Sequence, residues 1–403
     1  MGGYAVVLGV AAVTTYLLGF LVRRVAVRVG AVVLPDERRV HALPTPTAGG
    51  AAMFGALLLA MFVASQLPQF RPVFEGSSEP LGIVLAAGVI FIVGLVDDVR
   101  DVSAPAKLAG QVLAGSVLSF LGVTMLYFRV PFLDIVSISP DLAPLLTVLW
   151  VAAIANAINL VDGLDGLAAG VVAIAAAAFF VYADRLFKAG LLGGDNLGPL
   201  VAVIACGVCL GFLPHNFHPA RIFMGDAGAM LLGLLMASST MVVGGRTADQ
   251  FSGQTYFFFA PMFIPLFVLG VPILDTAFAI VRRSVRRTSL STPDKEHLHH
   301  RLMRLGHGHR RSVVILWSWT AILSGLVLFP TFTNEGNAVI PFAVAGLVVA
   351  LYTLFHPGVR QKAETEAEAR VLQDELGAVG GDPDAALADI VAMEERRRTA
   401  GGA

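Results

Sequence analysis

The stretch NAINLVDGLDGL, Asn156–Leu167, ends a long apolar run with two amides and two carboxylates and no lysine or arginine beside them. On a helix Asn156 and Asn159 lie one turn apart on one face. Asp162 and Asp165 repeat that spacing just beyond, with Gly163 and Gly166 available for tight turns. Oxygen ligands without basic neighbours suit a hard cation, Mg²⁺ or Mn²⁺, better than zinc. A plainer reading, a DG turn with capping acids, fits the same letters. The EF-hand spacing and its terminal glutamate are missing, so a calcium loop is a poor match.

Further polar stretches interrupt the apolar pattern. In GLVDDVRD, Asp97 and Asp98 close an apolar helix at the end where the dipole disfavours negative charge, so they need a partner, either a divalent cation or a side chain such as Lys107. In FMGDAGAM, Asp226 opens a helix: it is either an N-cap or part of a site in which Phe223 offers a flat face to a base and the helix N-terminus offers amide hydrogens to phosphate. His297, His299, His300 and Arg301 in HLHHRL lack the closed tetrahedral set with cysteine that zinc favours, and point to an anionic substrate. VHALPTPTAGG, with His41, completes the group. Asp275, inside the apolar GVPILDTAFAIV, costs roughly 2–3 kcal/mol or more in a bilayer unless paired or wet, which predicts that it faces the same cavity; Gly270 and Pro272 predict a kink before it.

The elements that must carry these residues are membrane helices. The chain has 403 residues, 56% hydrophobic and 14% charged, with a mean hydropathy of +0.76, outside the range of a soluble domain. Apolar runs long enough to cross a bilayer recur at Tyr4–Val22, Ala48–Leu67, Leu81–Val96, Leu108–Leu126, Ala143–Ile158, Gly166–Ala183, Leu197–Leu213, Ala227–Gly244, Phe257–Val281, Ser312–Phe329 and Ala338–Phe355. The expectation is an all-α polytopic membrane protein of about 11 transmembrane helices. The alternate loops after the first, third, fifth, seventh and ninth helices carry 17 Lys/Arg against 5 in the others. By the positive-inside rule the N-terminus is then outside, the C-terminus cytoplasmic, and all five polar stretches share the cytoplasmic face. The first apolar run lacks a signal-peptide pattern and reads as a retained helix. Residues 1–358 form the expected membrane domain and 359–403 a charged cytoplasmic tail. Cys206 and Cys209, at i and i+3 in an apolar run, read as packing residues rather than a redox pair. A net charge of −1 gives no reason to expect nucleic acid. The lack of an internal repeat and the one-sided acids weigh against a transporter or lipid flippase, the rival class.

From about Val40 to Leu305, these motifs and their order resemble the polyprenyl-phosphate N-acetylhexosamine-1-phosphate transferase family, and HLHHR resembles its WecA/TagO-like branch rather than the MraY-like branch that uses UDP-MurNAc-pentapeptide. The resemblance implies a bacterial plasma-membrane enzyme with a cytoplasmic active site. Its reaction would be Mg²⁺-dependent transfer of GlcNAc-1-phosphate from UDP-GlcNAc to undecaprenyl or decaprenyl phosphate, releasing UMP and starting cell-envelope polysaccharide synthesis. Mn²⁺ is an alternative metal, and a homodimer an allowed state. Residue by residue, it implies catalytic roles for Asp97, Asp98, Lys107 and Asp165, with Asp101 filling the last place of the aspartate motif. It implies metal binding by Asn159 and Asp226, and substrate binding by His41, Asn156, Asp162, Phe223, His297, His299, His300 and Arg301. Ala229, where relatives often carry serine, is a mild departure.

Overall fold

The computed structural model describes residues 1–33, 44–100, 102–130, 134–244, 273, 277, 281, 302–303, 305–333 and 340–355. Their helices are α1 (Gly2–Val29), α2 (Gly50–Gln66), α3 (Arg71–Glu75), α4 (Glu79–Val99), α5 (Ala104–Phe120), α6 (Ala143–Val161), α7 (Leu167–Lys188), α8 (Gly198–Asn216), α9 (Gly225–Gly244), α10 (His309–Thr333) and α11 (Ile340–Phe355). Among the described residues, six helices (α1, α4, α6, α7, α8 and α9) are long and apolar enough to cross a membrane. A helix runs through each expected crossing except Phe257–Val281, of which only residues 273, 277 and 281 are described; Asp275 and the tail 359–403 lie outside the described residues.

The chain is therefore a helical polytopic membrane bundle with α9 at its centre. This helix packs against α2, α4, α6, α7 and α8 and is buried along almost its whole length. Its sequence, GDAGAMLLGLLMASSTMVVG, explains why: small residues on several faces let neighbouring backbones approach, and approach rather than hydrophobic transfer drives packing in lipid. The hydroxyls that come with such a sequence are satisfied. Ser238 donates to the Leu234 carbonyl, Ser239 to the Gly198 carbonyl of α8, and Thr240 accepts from the Trp150 indole of α6. Cys206 and Cys209 are free and buried in α8, in keeping with a packing role.

Glycine sets the closest approaches. A Cβ at Gly94 of α4 would lie 2.4 Å from the Ala227 Cα of α9, and one at Gly50 of α2 would lie 2.4 Å from the Gly228 nitrogen. Both contacts are at the first turn of α9, so three helices meet there without side chains between them.

The structure departs from the expected helices in two places. The helix expected over Leu108–Leu126 stops at Phe120, where Gly122 takes a left-handed φ of 97 that a helix cannot continue. The chain then forms an antiparallel ribbon, β3 (Tyr127–Val130) on β4 (Asp134–Ser137), before α6. After α2 the chain bends by 93° into a 3-10 turn and α3, where Pro68 and Pro72 stand near the starts of the two elements. A second ribbon pairs β1 (Val32–Val33) with β2 (Thr45–Pro46) at the opposite end of the bundle from β3 and β4.

Gly94→Ala is expected to lower the thermal midpoint of the detergent-solubilised protein by the equivalent of about 1–3 kcal/mol, the usual cost of overpacking. Gly88→Ala, one helical stretch earlier, meets nothing nearer than 3.8 Å and should be nearly neutral or slightly stabilising. Equal effects from the two substitutions would contradict the packing described here.

Candidate active site

The C-terminal ends of α4, α6 and α8, the N-terminal ends of α5, α7, α9 and α10, and the ribbon β1–β2 all gather at one end of the bundle. The first turn of α9 is the hub. The backbone N–H of Asp226 donates to Asp98 Oδ1 at 2.8 Å, and that of Ala227 to Asp98 Oδ2 at 3.3 Å, so a carboxylate from the end of α4 caps α9. Gly225 makes room for it: its φ is 70, and a Cβ there would stand 2.3 Å from Asp98 Oδ2. Two amides that the sequence reading left available to phosphate are thus already engaged.

Asp98 answers one half of the acidic pair and Lys107 the other. The Lys107 ammonium, from the first turn of α5, lies 2.5 Å from Asp97 Oδ2 and 2.7 Å from Asp226 Oδ2. The Asp97 carboxylate also accepts from the backbone N–H of Val102 at 2.8 Å, which fixes the short link between α4 and α5. Asn159, at the end of α6, donates its amide to Asp226 Oδ2 at 3.2 Å. Four helices therefore bring Asp97, Asp98, Lys107, Asn159 and Asp226 together.

One turn below, an amide pair ties α5 to α6. Asn156 donates to Gln111 Oε1 at 2.7 Å and Gln111 donates back to Asn156 Oδ1 at 3.2 Å. Gln111 was not singled out in the sequence, although its i+4 offset from Lys107 places both on one face of α5. The pair sets the register in which Lys107 and Asn159 both reach Asp226.

The remaining acids of NAINLVDGLDGL diverge. The carboxyl of Asp162, just past α6, makes no hydrogen bond or ion pair among the described residues, while its backbone N–H closes the helix on the Ile158 and Asn159 carbonyls. Burial and then the charges of Asp226, Asp98 and Asp165 push its carboxyl up to about 8. Asp165 turns away from Lys107 and pairs with His218, its Oδ2 lying 2.6 Å from Nδ1. The turn between them ends at Gly166, with φ 78, whose N–H donates to Asn216 Oδ1 at 2.9 Å. Asn216 in turn donates to the Ile222 carbonyl, so one buried side chain joins the start of α7 to the loop leading into α9. His218, Asn216 and His309 are further residues that sequence spacing did not pick out.

Phe223 is half-buried beside the cluster, with its N–H donating to the Pro46 carbonyl and its own carbonyl accepting from Gly49. This lays TPTAGG along the entry to α9, with Ala48 held at φ 74, a costly conformation for a residue with a Cβ. His41, Asp101, His297, His299, His300 and Arg301 lie outside the described residues.

The donors around Asp226 are carboxylate and amide oxygens, and the gap between Asp97 and Asp226 already draws in an ammonium. That chemistry fits a hard divalent cation, with Asn159 presenting its oxygen after an amide flip.

A family model described as glycosyl transferase family 4 matches residues 80–244. A decaprenyl-phosphate N-acetylglucosaminephosphotransferase of Mycolicibacterium smegmatis is 41% identical over 354 residues, 85% of this chain and 86% of that protein. A protein of Bacillus subtilis named a probable undecaprenyl-phosphate N-acetylglucosaminyl 1-phosphate transferase is 36% identical over 308 residues, 76% of this chain and 79% of its own. A phospho-N-acetylmuramoyl-pentapeptide-transferase of Desulforudis audaxviator is 34% identical over 349 residues, 79% of this chain and 96% of its own.

Because Asp162 is raised from its ordinary value, its ionisation opposes folding. The cost is absent below about pH 4, grows as pH rises and levels off above about pH 8. In buffers free of divalent cations, Asp162→Asn should therefore melt at a higher temperature than the parent, by a wider margin at about pH 9 than at about pH 6. A margin that is absent, or that narrows as pH rises, would contradict this placement of Asp162.

Proposed function

We propose, because the chain belongs to the polyprenyl-phosphate N-acetylglucosamine-1-phosphate transferase family, that it transfers GlcNAc-1-phosphate from UDP-GlcNAc to a polyprenyl phosphate and releases UMP. The observation that carries the reading is the meeting of Asp97, Lys107, Asn159 and Asp226 from four helices at one end of a membrane bundle. The names of the Mycolicibacterium smegmatis and Bacillus subtilis relatives support GlcNAc over the muramoyl-pentapeptide donor, and the pentapeptide-transferase relative matches at lower identity.

An oxygen of the lipid phosphate attacks the sugar-bearing phosphorus, a new P–O bond forms, and the anhydride P–O bond breaks with its electron pair leaving on UMP. With a second pKa near 6 the acceptor phosphomonoester is largely ionised at neutral pH, so a strong base is not required. The work left to the protein is positioning and charge neutralisation. Lys107 serves both, as its ammonium stands between the two carboxylates where phosphate charge would accumulate. Asp97, fixed by Val102, orients the acceptor. Asp226 and Asn159 would hold Mg²⁺, with Mn²⁺ as a substitute, and the ion would supply polarisation of the pyrophosphate. Transfer is a single displacement with no protein-bound phosphoryl.

The excess of Lys/Arg in alternate loops supports a cytoplasmic site in a bacterial plasma membrane, where a water-soluble nucleotide sugar meets an acceptor whose prenyl chain stays in lipid. The same loop charges assign the sequence stretch with His297, His299, His300 and Arg301 to the cytoplasmic side, and its imidazole and guanidinium groups suit an anionic sugar phosphate.

Purified protein given a polyprenyl phosphate and Mg²⁺ is expected to release UMP from UDP-GlcNAc and not from UDP-MurNAc-pentapeptide. EDTA should abolish the release, and Asp226→Asn should lower it by about 10²-fold or more. Release from the pentapeptide donor alone would move the chain to the other branch. Silence with both donors from folded protein would refute the transferase reading.

A further inference from the structure

The loop between α8 and α9, residues 217–224, carries Phe223 and leads into Asp226. One buried carboxylate from the turn before α7 holds its middle. Asp165 Oδ2 lies 2.6 Å from His218 Nδ1 and accepts from the Ala220 N–H at 3.1 Å. Three further contacts close the same clamp. Asn216 accepts from the Gly166 N–H and donates to the Ile222 carbonyl. Arg310 Nε, from the start of α10, donates to the His218 carbonyl at 3.1 Å. The His309 ring lies against that of His218, with centroids 4.1 Å apart and planes at 18°. Rings so nearly parallel meet face to face, so His309 backs the His218 ring and leaves its Nδ1 to the carboxylate. Among the described residues the Asp165 carboxyl hydrogen-bonds to His218 and Ala220, and not to Lys107, Asp97 or Asp226.

We infer that Asp165 and His218 are positioning residues for the nucleotide: they hold this loop so that Phe223 presents its ring to the base, and they take no part in the transfer step. Given the nucleotide donor of the transferase reading, on which this role rests, an acid that the family resemblance marks as catalytic acts instead through the loop. Phe223 and Asp226 are close in the chain but are fixed by different means. Asp226 is set by α9, whose first amides are capped by Asp98. Phe223 is bonded to Pro46 and Gly49 through its own backbone, and the chain just before it is held at Ala220, Arg221 and Ile222 by Asp165, the His215 carbonyl and Asn216. Removing the carboxylate therefore loosens the approach to Phe223 while the contacts among Asp97, Lys107 and Asp226 stay. Nucleotide affinity then depends on the clamp, and turnover on the cluster. Hydrogen bonds to an ionised acceptor are stronger than neutral ones, which suits Asp165 to hold two donors at once.

The test is the kinetics of UMP release by the full-length protein in detergent, with UDP-GlcNAc varied and the polyprenyl phosphate saturating. Asp165→Ala and His218→Ala should each raise KM for UDP-GlcNAc about tenfold or more, the scale of one lost hydrogen bond to an ionised group, with kcat within about threefold of the parent. Asp165→Asn, whose amide oxygen still accepts from His218 and Ala220, should recover most of the loss. Because the clamp acts through Phe223, adding Asp165→Ala to Phe223→Ala should cost little beyond Phe223→Ala alone. A fall in kcat shared by Asp165→Ala and Asp165→Asn would make the carboxylate catalytic and overturn the assignment. Parental KM in both alanine variants, or additive losses in the double variant with Phe223, would overturn it too. His218 is partly exposed, so His218→Ala carries the test if Asp165→Ala does not fold. Equilibrium binding of UMP separates the clamp from the transferase reading. A parent that binds UMP but transfers nothing refutes that reading alone, and the clamp still predicts about tenfold weaker UMP binding in His218→Ala. A parent that does not bind UMP, or a His218→Ala variant that binds it as tightly as the parent, would overturn the clamp.

Discussion

The carboxylate of Asp98 on the first turn of α9 is the contact on which the site depends. A helix packed on all sides presents unpaired N–H groups at its N-terminus, and where neighbouring helices cover them they need a protein acceptor. Asp98 takes two of them, and it reaches them because Gly225, Gly94 and Gly50 remove the side chains that would otherwise hold α2, α4 and α9 apart. Once α9 is seated, Asp226 stands at a fixed point, and Lys107 and Asn159 need only arrive from α5 and α6. Adjacent aspartates at the end of α4 thus have different tasks: Asp98 holds the scaffold, and Asp97 pairs with the Lys107 ammonium.

Charge in a membrane bundle is tolerated where it is paired or performs chemistry. Asp97, Lys107 and Asp226 form a compact alternating set, and Asp162 is the member left over, its carboxyl raised by burial and then by its neighbours and unpaired among the described residues. An acidic excess of this kind is what a cation-dependent phosphoryl-transfer site requires before its ion and substrates arrive. The amide pair of Gln111 and Asn156 supplies register without adding charge, as suits its position deeper in the bundle.

Much of this was legible in the sequence because apolar length and interrupted polarity are strong signals. The runs that became α1, α4 and α6 to α9 announce themselves by composition, and the pairs Asp97–Asp98 and Asn156–Asn159 stand out against them. The family motifs then tie Lys107 and Asp226 to the same place, and the structure brings them within a salt-bridge distance. What spacing could not give is partnership across helices. Nothing local says that Asp98 caps α9 while Asp97 binds Lys107, or that Asp165 turns to His218, 53 residues away, rather than to its neighbours. Gln111 was silent because a lone glutamine carries no pattern until its partner is known. The β3–β4 ribbon was hidden behind an apolar run that reads as helix until Gly122, with its left-handed backbone, ends it.

The central claim, that Asp98 builds the site by capping α9, is tested most directly by hydrogen exchange at the amides of Asp226 and Ala227. The account predicts strong protection in the parent, retained in part by Asp98→Asn, which keeps one acceptor oxygen, and lost by at least tenfold in Asp98→Ala, the order of one missing hydrogen bond's net worth of about 1–1.5 kcal/mol. Exchange at these two amides that is unchanged in Asp98→Ala would contradict it.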